Sequence, residues 1–170
     1  MSQVVEQHRF QSPQSLQVAV LTISDTRDRV SDTSGALIVE LLEAAGHVVA
    51  DREIVPDEPD RIRPLIASYH DRPEIQAVLI TGGTGISPRD QTFETVSQLL
   101  TKPLPGFGEL FRMLSYAEIG SAAIMSRAVG GLMGELVILV MPGSRAAVQL
   151  AMNRIIIPEL PHLVQQARKH

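Results

Sequence analysis

The sequence predicts an α/β protein, a three-layer α/β/α sandwich with a mostly parallel central sheet and a small glycine-rich hairpin. Short apolar runs rich in β-branched residues recur along the chain, as is typical of strands buried on both faces. Segments with helically spaced apolar residues separate these runs. Because strands and helices alternate at the spacing of βαβ units, we expect the strands to pair in parallel beneath helices on both faces.

The first half of the chain predicts three strands and two helices. LQVAVLTIS at residues 16–24 is a continuous apolar run and predicts a buried strand. ALIVELLEAAG at residues 36–46 predicts a helix that ends at Gly46, a favourable C-terminal cap. A strand over 47–55, a turn at 56–59, a helix over 60–70 and a strand over 75–80 complete this half.

The second half predicts helices on either side of a hairpin. Residues 91–100 and 107–120 are helical in pattern, and the prolines of KPLPG at 102–106 separate them. Residues 126–143 predict two strands joined by a glycine-rich turn. Residues 144–155 and 157–169 predict two closing helices.

The composition favours one soluble domain without thiol chemistry. We expect residues 1–15 to form a flexible polar tail and residues 16–170 to form a single domain. The absence of cysteine excludes disulfides, thiolate metal sites and cysteine nucleophiles. The net charge of −4 argues against a surface adapted to nucleic acid, and the apolar run at 136–141 is too short to span a bilayer. We therefore expect a cytoplasmic protein without a nucleic-acid or membrane partner.

The segment TGGTGISPRD follows the third predicted strand directly. In a parallel sheet, ligands bind beyond the carboxyl ends of the strands. Gly82, Gly83, Thr84 and Gly85 can turn successive backbone N–H groups into one concavity that binds phosphate or carboxylate. The spacing is neither a dinucleotide fingerprint, because position 88 is proline, nor a Walker A loop. A purely structural turn is an equal alternative.

Two carboxylates follow predicted strand ends. Asp90 beside an anion site requires a neutralising charge, which Mg²⁺ supplies when it bridges carboxylate and phosphate oxygens. The alternative is that Asp90 caps the helix that starts near Gln91 or Thr92. Asp57 and Glu58 follow the second strand, where a solvated acidic turn is the alternative for both and our preference for Glu58.

Two further strand ends offer hydroxyl groups. In MPGSRAA, Gly143 allows close backbone approach, and Ser144 can cap a helix whose start binds an anion. A plain turn with a serine cap is the favoured interpretation of that segment taken alone. Ser24, at the end of the first strand, can donate to a ligand or bond to the local backbone.

The chain offers no evident nucleophile. Its five histidines are scattered without an H-x-x-x-H pair, and no G-x-S-x-G elbow occurs. Glycines, hydroxyls and carboxylates without a nucleophile favour phosphoryl or nucleotidyl transfer, in which positioning and metal-assisted charge stabilisation supply the catalysis.

Several short motifs occur together in the order seen in one family. They are TGGTG with RD close behind, PGFGE at 105–109, SRA at 126–128 and MPGS at 141–144. With them, the chain resembles the MoaB/MogA proteins of molybdenum cofactor biosynthesis, which are related to the gephyrin G domain. The likeness runs from about Leu16 to the last helices. SDTSG at 31–35, FRMLS at 111–115 and YAEIG at 116–120 resemble the MoaB branch.

The resemblance implies Mg²⁺-dependent transfer of an adenylyl group from ATP to the terminal phosphate of molybdopterin, with release of pyrophosphate, by a homotrimer or homohexamer. Asp57 and Asp90 would be the catalytic and metal-binding residues. A non-catalytic molybdopterin-binding or scaffold protein of the same pathway is the alternative, and a different phosphate-binding enzyme on the same scaffold is a third. The residues implied to contact pterin or nucleotide are Ser24, Gly82, Gly83, Thr84, Gly85, Ser126, Pro142, Gly143 and Ser144.

Overall fold

The computed structural model describes residues 13–169, so most of the tail predicted at residues 1–15 lies outside the described residues. The strands described are β1 (Gln17–Ile23), β2 (Val48–Val55), β3 (Ala77–Thr81), β4 (Lys102–Pro103), β5 (Val129–Met133) and β6 (Leu136–Met141). The α-helices described are α1 (Thr33–Ala44), α2 (Pro59–His70), α3 (Thr92–Leu99), α4 (Pro105–Ile119), α5 (Arg145–Ala151) and α6 (Ile157–Ala167).

The described strands form one sheet in the order β2-β1-β3-β6-β5-β4. β1 pairs in parallel with β2 and β3, and β3 pairs in parallel with β6. β5 is antiparallel to both β6 and β4, and a turn at Gly134 joins β5 to β6. The predicted α/β class, with a mostly parallel sheet and a glycine-rich hairpin, is confirmed.

Alternate residues of the central strands face two separate hydrophobic cores. In β3, Ala77 and Leu79 pack in a core with α1, α4, α5 and α6, whereas Val78 and Ile80 pack in a core with α2 and α3. Successive side chains of a strand point to opposite faces, so a strand that is apolar at every position needs cover on both sides. The predicted three-layer arrangement follows from that pattern.

The two predicted closing helices are present as α5 and α6, but the first ends earlier than predicted, because a π-helical turn at Met152–Ile156 joins α5 directly to α6. Pro158 has no N–H group to donate to the carbonyl group four residues earlier. In a regular α-helix, its ring would also collide with that carbonyl group. A wider turn just before the proline relieves that collision. The N–H group of Ile157 accordingly donates to the Met152 carbonyl, five residues back.

Helix α1 begins at Thr33, earlier than predicted, because Asp32 caps it. The Asp32 Oδ1 accepts a hydrogen bond from the Gly35 N–H at 2.9 Å. Its Oδ2 accepts from the Thr22 hydroxyl at 2.8 Å and from Arg52 Nη2 at 3.0 Å. Burial by itself would raise the pKa of Asp32, but these hydrogen bonds outweigh burial and hold the pKa below its usual value. One carboxylate therefore ties α1 to both β1 and β2.

We expect Asp32→Asn to lower the free energy of unfolding by roughly 3 kcal/mol near neutral pH, because it breaks a buried, hydrogen-bonded ion pair. A carboxylate whose folded-state pKa is lowered stabilises the fold above its unfolded pKa, and that stability is lost as pH falls through the folded pKa. Wild-type stability should therefore decline below about pH 4, and this part of the decline should be missing in the variant.

Urea unfolding at a series of pH values measures both effects of Asp32→Asn. The control is Asp71→Asn at an exposed position just after α2, which should change the free energy by less than about 0.5 kcal/mol. Equal stability and equal acid sensitivity of Asp32→Asn and the wild type would contradict the assigned role.

Candidate functional site

The turns that follow β1, β3 and β6 lie side by side at one edge of the sheet. The strand register sets Thr22, Thr81 and Met141 next to one another, so the segments after them leave the sheet together. A Cβ atom built on Gly143 would lie only 3.2 Å from the Cα of Gly82, so the turns after β3 and β6 are in close contact. The strand ends that carry most of the candidate residues therefore converge at the carboxyl edge.

The glycine loop, residues 82–86, has a backbone conformation that glycine adopts most readily. Gly82 has a φ of 103° and Gly83 a φ of 63°. A Cβ atom on Gly83 would lie 2.0 Å from Thr92 Oγ1 and 2.4 Å from Asp57 Oδ2. Both the conformation and the available space therefore require glycine at position 83 and bring the backbone against a buried carboxylate.

The glycine loop offers free hydrogen-bond donors. Among residues 13–169, no hydrogen bond takes up the backbone N–H groups of Gly83, Thr84, Gly85 or Ile86. The N–H group of Gly82 differs, because it donates to the Met141 carbonyl at 3.1 Å. Successive unpaired N–H groups in a glycine-rich turn form a concavity suited to an anion. The loop therefore has the donors that binding of a phosphate group requires.

Asp57 is a buried carboxylate whose partners come from the start of α3. Its side chain accepts hydrogen bonds from the Thr92 hydroxyl at 2.9 Å and from the Gln91 N–H at 3.1 Å. Burial raises the pKa of Asp57, these two bonds oppose that effect, and the negative charge of Asp90 adds to the rise. The pKa of Asp57 therefore lies above its usual value, and a cation bound nearby would favour the ionised form.

Asp90 does not cap α3, so the capping alternative is wrong. The N-cap residue of α3 is Gln91, whose side chain makes no capping bond. Asp90 turns back instead, and its Oδ2 accepts from the Ser87 hydroxyl at 2.6 Å and the Ser87 N–H at 3.0 Å. A Cβ atom on Gly85 would lie 2.5 Å from the same oxygen, so Asp90 packs against the glycine loop.

Two candidate serines bond to the local backbone. The Ser24 Oγ accepts from the Arg27 N–H at 3.1 Å. The Ser144 Oγ accepts from the Ala147 N–H at 3.2 Å and so caps α5. These bonds match the structural alternative that the sequence offers for each serine.

The other candidates support the shape of the turns. The Pro142 carbonyl accepts from the Thr81 hydroxyl at 3.1 Å, and the Gly143 carbonyl accepts from the Ser34 hydroxyl at 2.9 Å. Ser126 is buried, and it follows the 3₁₀ segment Gly120–Met125. Ser126 therefore stands at the entry to the segment that leads into β5, next to an arginine that contacts the glycine loop.

Arg127 is the site residue that the sequence analysis missed. Its Nε donates to the Thr84 carbonyl at 3.0 Å, and its Nη2 donates to the Gly85 carbonyl. Its Nη1 pairs with Glu94, and the guanidinium carbon lies 4.8 Å from the centre of the Phe93 ring. The SRA motif contains this residue, but no local pattern indicates a bond to a loop 42 residues away.

A second ion pair links the turns after β1 and β3. Arg89 Nε and Nη2 donate to the two carboxylate oxygens of Asp25 at 2.9 and 2.6 Å, and these bonds lower the pKa of Asp25. The pair lines a cleft of about 840 Å³ that also includes Arg27, Arg29 and Glu58. Arg89 follows the glycine loop in the chain and is the part of that segment that lines the cleft, which is large enough for a small-molecule ligand.

The two candidate carboxylates are of the ligand type that a magnesium ion shared with phosphate oxygens uses. Within residues 13–169, no group of three or more His, Asp or Glu side chains could bind a metal ion by itself. Mg²⁺ is usually bound by one or two carboxylates together with substrate phosphates and water. Burial and the negative charge of Asp90 raise the pKa of Asp57. A bound cation stabilises the ionised carboxylate and so opposes both effects.

The fold and the site define a class of protein in which a mostly parallel sheet presents a glycine loop with free N–H groups and two carboxylates at its carboxyl edge. In the part of the chain that the structure describes, no helix combines the length and apolar character needed to cross a membrane. Residues 19–162 match a family described as the probable molybdopterin binding domain, and the chain belongs to that family.

Relatives of known name extend this result over nearly the whole chain. The chain is 52% identical over 166 residues to molybdenum cofactor biosynthesis protein B of Halalkalibacterium halodurans. The aligned region covers 97% of this chain and 98% of that protein. A crystal structure of molybdenum cofactor biosynthesis protein B is 48% identical, with a TM-score of 0.90, over 94% of this chain and 100% of that one.

A more distant structure agrees with these two. The tungsten cofactor synthesizing protein MoaB from Pyrococcus furiosus is 37% identical, with a TM-score of 0.80, over 93% of this chain and 100% of that one. The resemblance to the MoaB/MogA family is thus confirmed, and with it a role in molybdenum cofactor biosynthesis.

Proposed function

We propose that the protein transfers an adenylyl group from ATP to the terminal phosphate of molybdopterin, giving adenylyl-molybdopterin and pyrophosphate. One observation carries the proposal: four free N–H groups of the glycine loop lie beside a buried aspartate with a raised pKa. Such a site suits a phosphate group that brings a divalent cation with it. Membership in the molybdopterin-binding family supports molybdopterin as the phosphate carrier.

In the proposed reaction, an oxygen of the terminal phosphate of molybdopterin attacks the α-phosphorus of ATP. The bond from the α-phosphorus to the oxygen that bridges to the β-phosphate breaks, and pyrophosphate leaves with that electron pair. The substrate itself is the nucleophile, which agrees with a chain that offers none. The protein contributes by binding and orienting the two phosphate-bearing substrates.

The chain's own residues divide this work. The N–H groups of Gly83, Thr84, Gly85 and Ile86 bind the phosphate of molybdopterin. ATP occupies the cleft that Asp25 and Arg89 line, where Ser24 and the arginines at its walls contact the nucleotide. Ser126, Pro142, Gly143 and Ser144 complete the walls around the loop. Asp57 and Asp90 hold Mg²⁺, which, when bound, neutralises charge on the phosphate oxygens.

One feature of the site favours an alternative function. Both candidate carboxylates accept hydrogen bonds from their own chain, Asp57 from Thr92 and Gln91 and Asp90 from Ser87, so each has a structural task. In a non-catalytic protein that binds molybdopterin for the pathway, these two carboxylates would serve this structural purpose alone. Calorimetry separates the two functions, because this alternative requires molybdopterin binding without ATP binding.

We also propose a cytoplasmic trimer or hexamer formed by a single domain of residues 16–170. Helix α4 exposes Leu110, Met113, Tyr116 and Ile119, and the segment after it exposes Ile124 and Met125. An apolar surface of this extent is typical of a contact between subunits. Sedimentation equilibrium should give the mass of three or six chains.

Purified protein with molybdopterin, ATP and Mg²⁺ tests the proposed activity through release of pyrophosphate. We expect release to require all three components. Pyrophosphate release that does not depend on molybdopterin would indicate a different nucleotide-hydrolysing activity. Binding of both substrates without pyrophosphate release would contradict the proposed transfer.

A further inference from the structure

Arg127 approaches the glycine loop from the side of β5. Val129 pairs with Val140 near the end of β6, so the antiparallel β5 begins at the edge where the glycine loop leaves β3. The guanidinium is held there by Glu94 and by the face of the Phe93 ring. These partners orient it toward the loop, and its planar fork spans two consecutive carbonyl groups, those of Thr84 and Gly85.

The bonds to Arg127 determine where the loop's N–H groups point. In a trans peptide, the N–H group of a residue points opposite to the carbonyl group of the residue before it. No cis peptide occurs among the described residues. Because the Thr84 and Gly85 carbonyls point at the guanidinium, the N–H groups of Gly85 and Ile86 point away from it. These two N–H groups belong to the free donors of the loop.

A glycine-rich loop needs such support. Glycine allows many backbone conformations, so an unsupported loop would lose entropy each time its donors lined up on a ligand. The Arg127 fork removes much of that freedom in advance for the two peptide planes that it contacts. Pre-orientation of this kind raises affinity without a direct contact to the ligand.

We propose that Arg127 is a positioning residue, which aims the Gly85 and Ile86 N–H groups at a phosphate group by holding the Thr84 and Gly85 carbonyls. The inference rests on one part of the proposed function, that the glycine loop binds phosphate. Arg127 does not act mainly through its positive charge, because Glu94 pairs with it. Lysine at this position keeps the charge and loses the planar fork, so the two explanations give opposite expectations for Arg127→Lys.

The experiment is an NMR titration of isotope-labelled protein with inorganic phosphate, followed at the backbone amide resonances of Gly85 and Ile86. The variants are Arg127→Lys, Arg127→Gln and the matched control Arg168→Lys. Arg168 also donates through Nη2 to two backbone carbonyls, those of Pro73 at 2.9 Å and Ile75 at 3.5 Å, but at the opposite end of β3.

We expect wild type and Arg168→Lys to show the same saturable shifts. Both Arg127 variants should bind phosphate at least about tenfold more weakly, the loss that removal of oriented, charge-assisted hydrogen bonds produces. Their Gly85 and Ile86 resonances should already differ from wild type without phosphate, because the peptide planes are no longer held. Thermal unfolding checks that each variant is folded, and Arg127→Lys keeps the test open if Arg127→Gln does not fold.

Three results would overturn the inference. They are Arg127→Lys binding within twofold of wild type, an equal loss in Arg168→Lys, and wild-type Gly85 and Ile86 resonances that do not respond to phosphate. The titration contains neither ATP nor pterin, so its outcome is independent of turnover. A protein that binds phosphate as expected and releases no pyrophosphate would refute the proposed reaction and leave the role of Arg127 intact.

Discussion

Asp57→Asn should reduce pyrophosphate release at least about a thousandfold, because a metal ion on phosphate oxygens supplies several kcal/mol of charge stabilisation. The substitution keeps the volume of the side chain and an oxygen that can accept from the Thr92 hydroxyl. It removes the negative charge that we propose to hold Mg²⁺. Steady-state pyrophosphate release at saturating Mg²⁺ and ATP measures the loss, and circular dichroism confirms the fold.

The matched control is Thr92→Val, which removes a hydrogen bond to Asp57 and keeps the carboxylate. Thr92 is fully buried and nearly isosteric with valine, so we expect a loss of stability of about 1–2 kcal/mol. Turnover should stay within about tenfold of wild type, because only one hydrogen bond to the carboxylate is lost. Equal turnover of Asp57→Asn and wild type would exclude Asp57 as a metal-binding residue.

Gly83→Ala should lower the free energy of unfolding and abolish phosphate binding. A residue with a Cβ atom pays about 1–2 kcal/mol for a left-handed conformation, and Gly83 has a φ of 63°. The new methyl group would also overlap Thr92 Oγ1 and Asp57 Oδ2, and crowding of this kind costs about 1–3 kcal/mol. We expect a total loss of roughly 3 kcal/mol in urea unfolding.

Gly106→Ala is the matched control for Gly83→Ala. Gly106 lies in the first turn of α4, and a Cβ atom built on it meets no heavy atom within 4 Å. Alanine favours a helix over glycine by about 1 kcal/mol, so this variant should be as stable as wild type or slightly more stable. A Gly83→Ala protein with wild-type stability and phosphate affinity would contradict the described loop conformation.

The layered fold could be predicted because its signal is local. Strands such as β6 are apolar at every position, and the helices between the strands repeat their apolar residues at helical spacing. The strand-to-helix turns then fall at one edge of the sheet by the geometry of parallel pairing alone. The sequence pattern alone therefore assigns the glycine loop and the turn at Gly143 to one edge of the sheet.

The partners of the site residues could not be predicted, because they come from distant segments. Asp57 bonds to Thr92, 35 residues away, and Arg127 bonds to Gly85, 42 residues away. The predicted hairpin implies the antiparallel course of β5, but it does not show that Arg127, just before β5, reaches the loop after β3. The helix-cap interpretation of Asp90 failed for a local reason, since Ser87 offers that carboxylate two donors in a tight turn.

The central claim is that the glycine loop, Asp57 and Asp90 serve adenylyl transfer to molybdopterin. The most direct measurement is a single-turnover reaction of the protein with molybdopterin, Mg²⁺ and ATP labelled at the α-phosphate, with the products separated and identified. We expect the label to appear on molybdopterin in the same amount as the pyrophosphate released, and neither product in Asp57→Asn. Label that stays in ATP while molybdopterin is bound by the wild-type protein would contradict the claim.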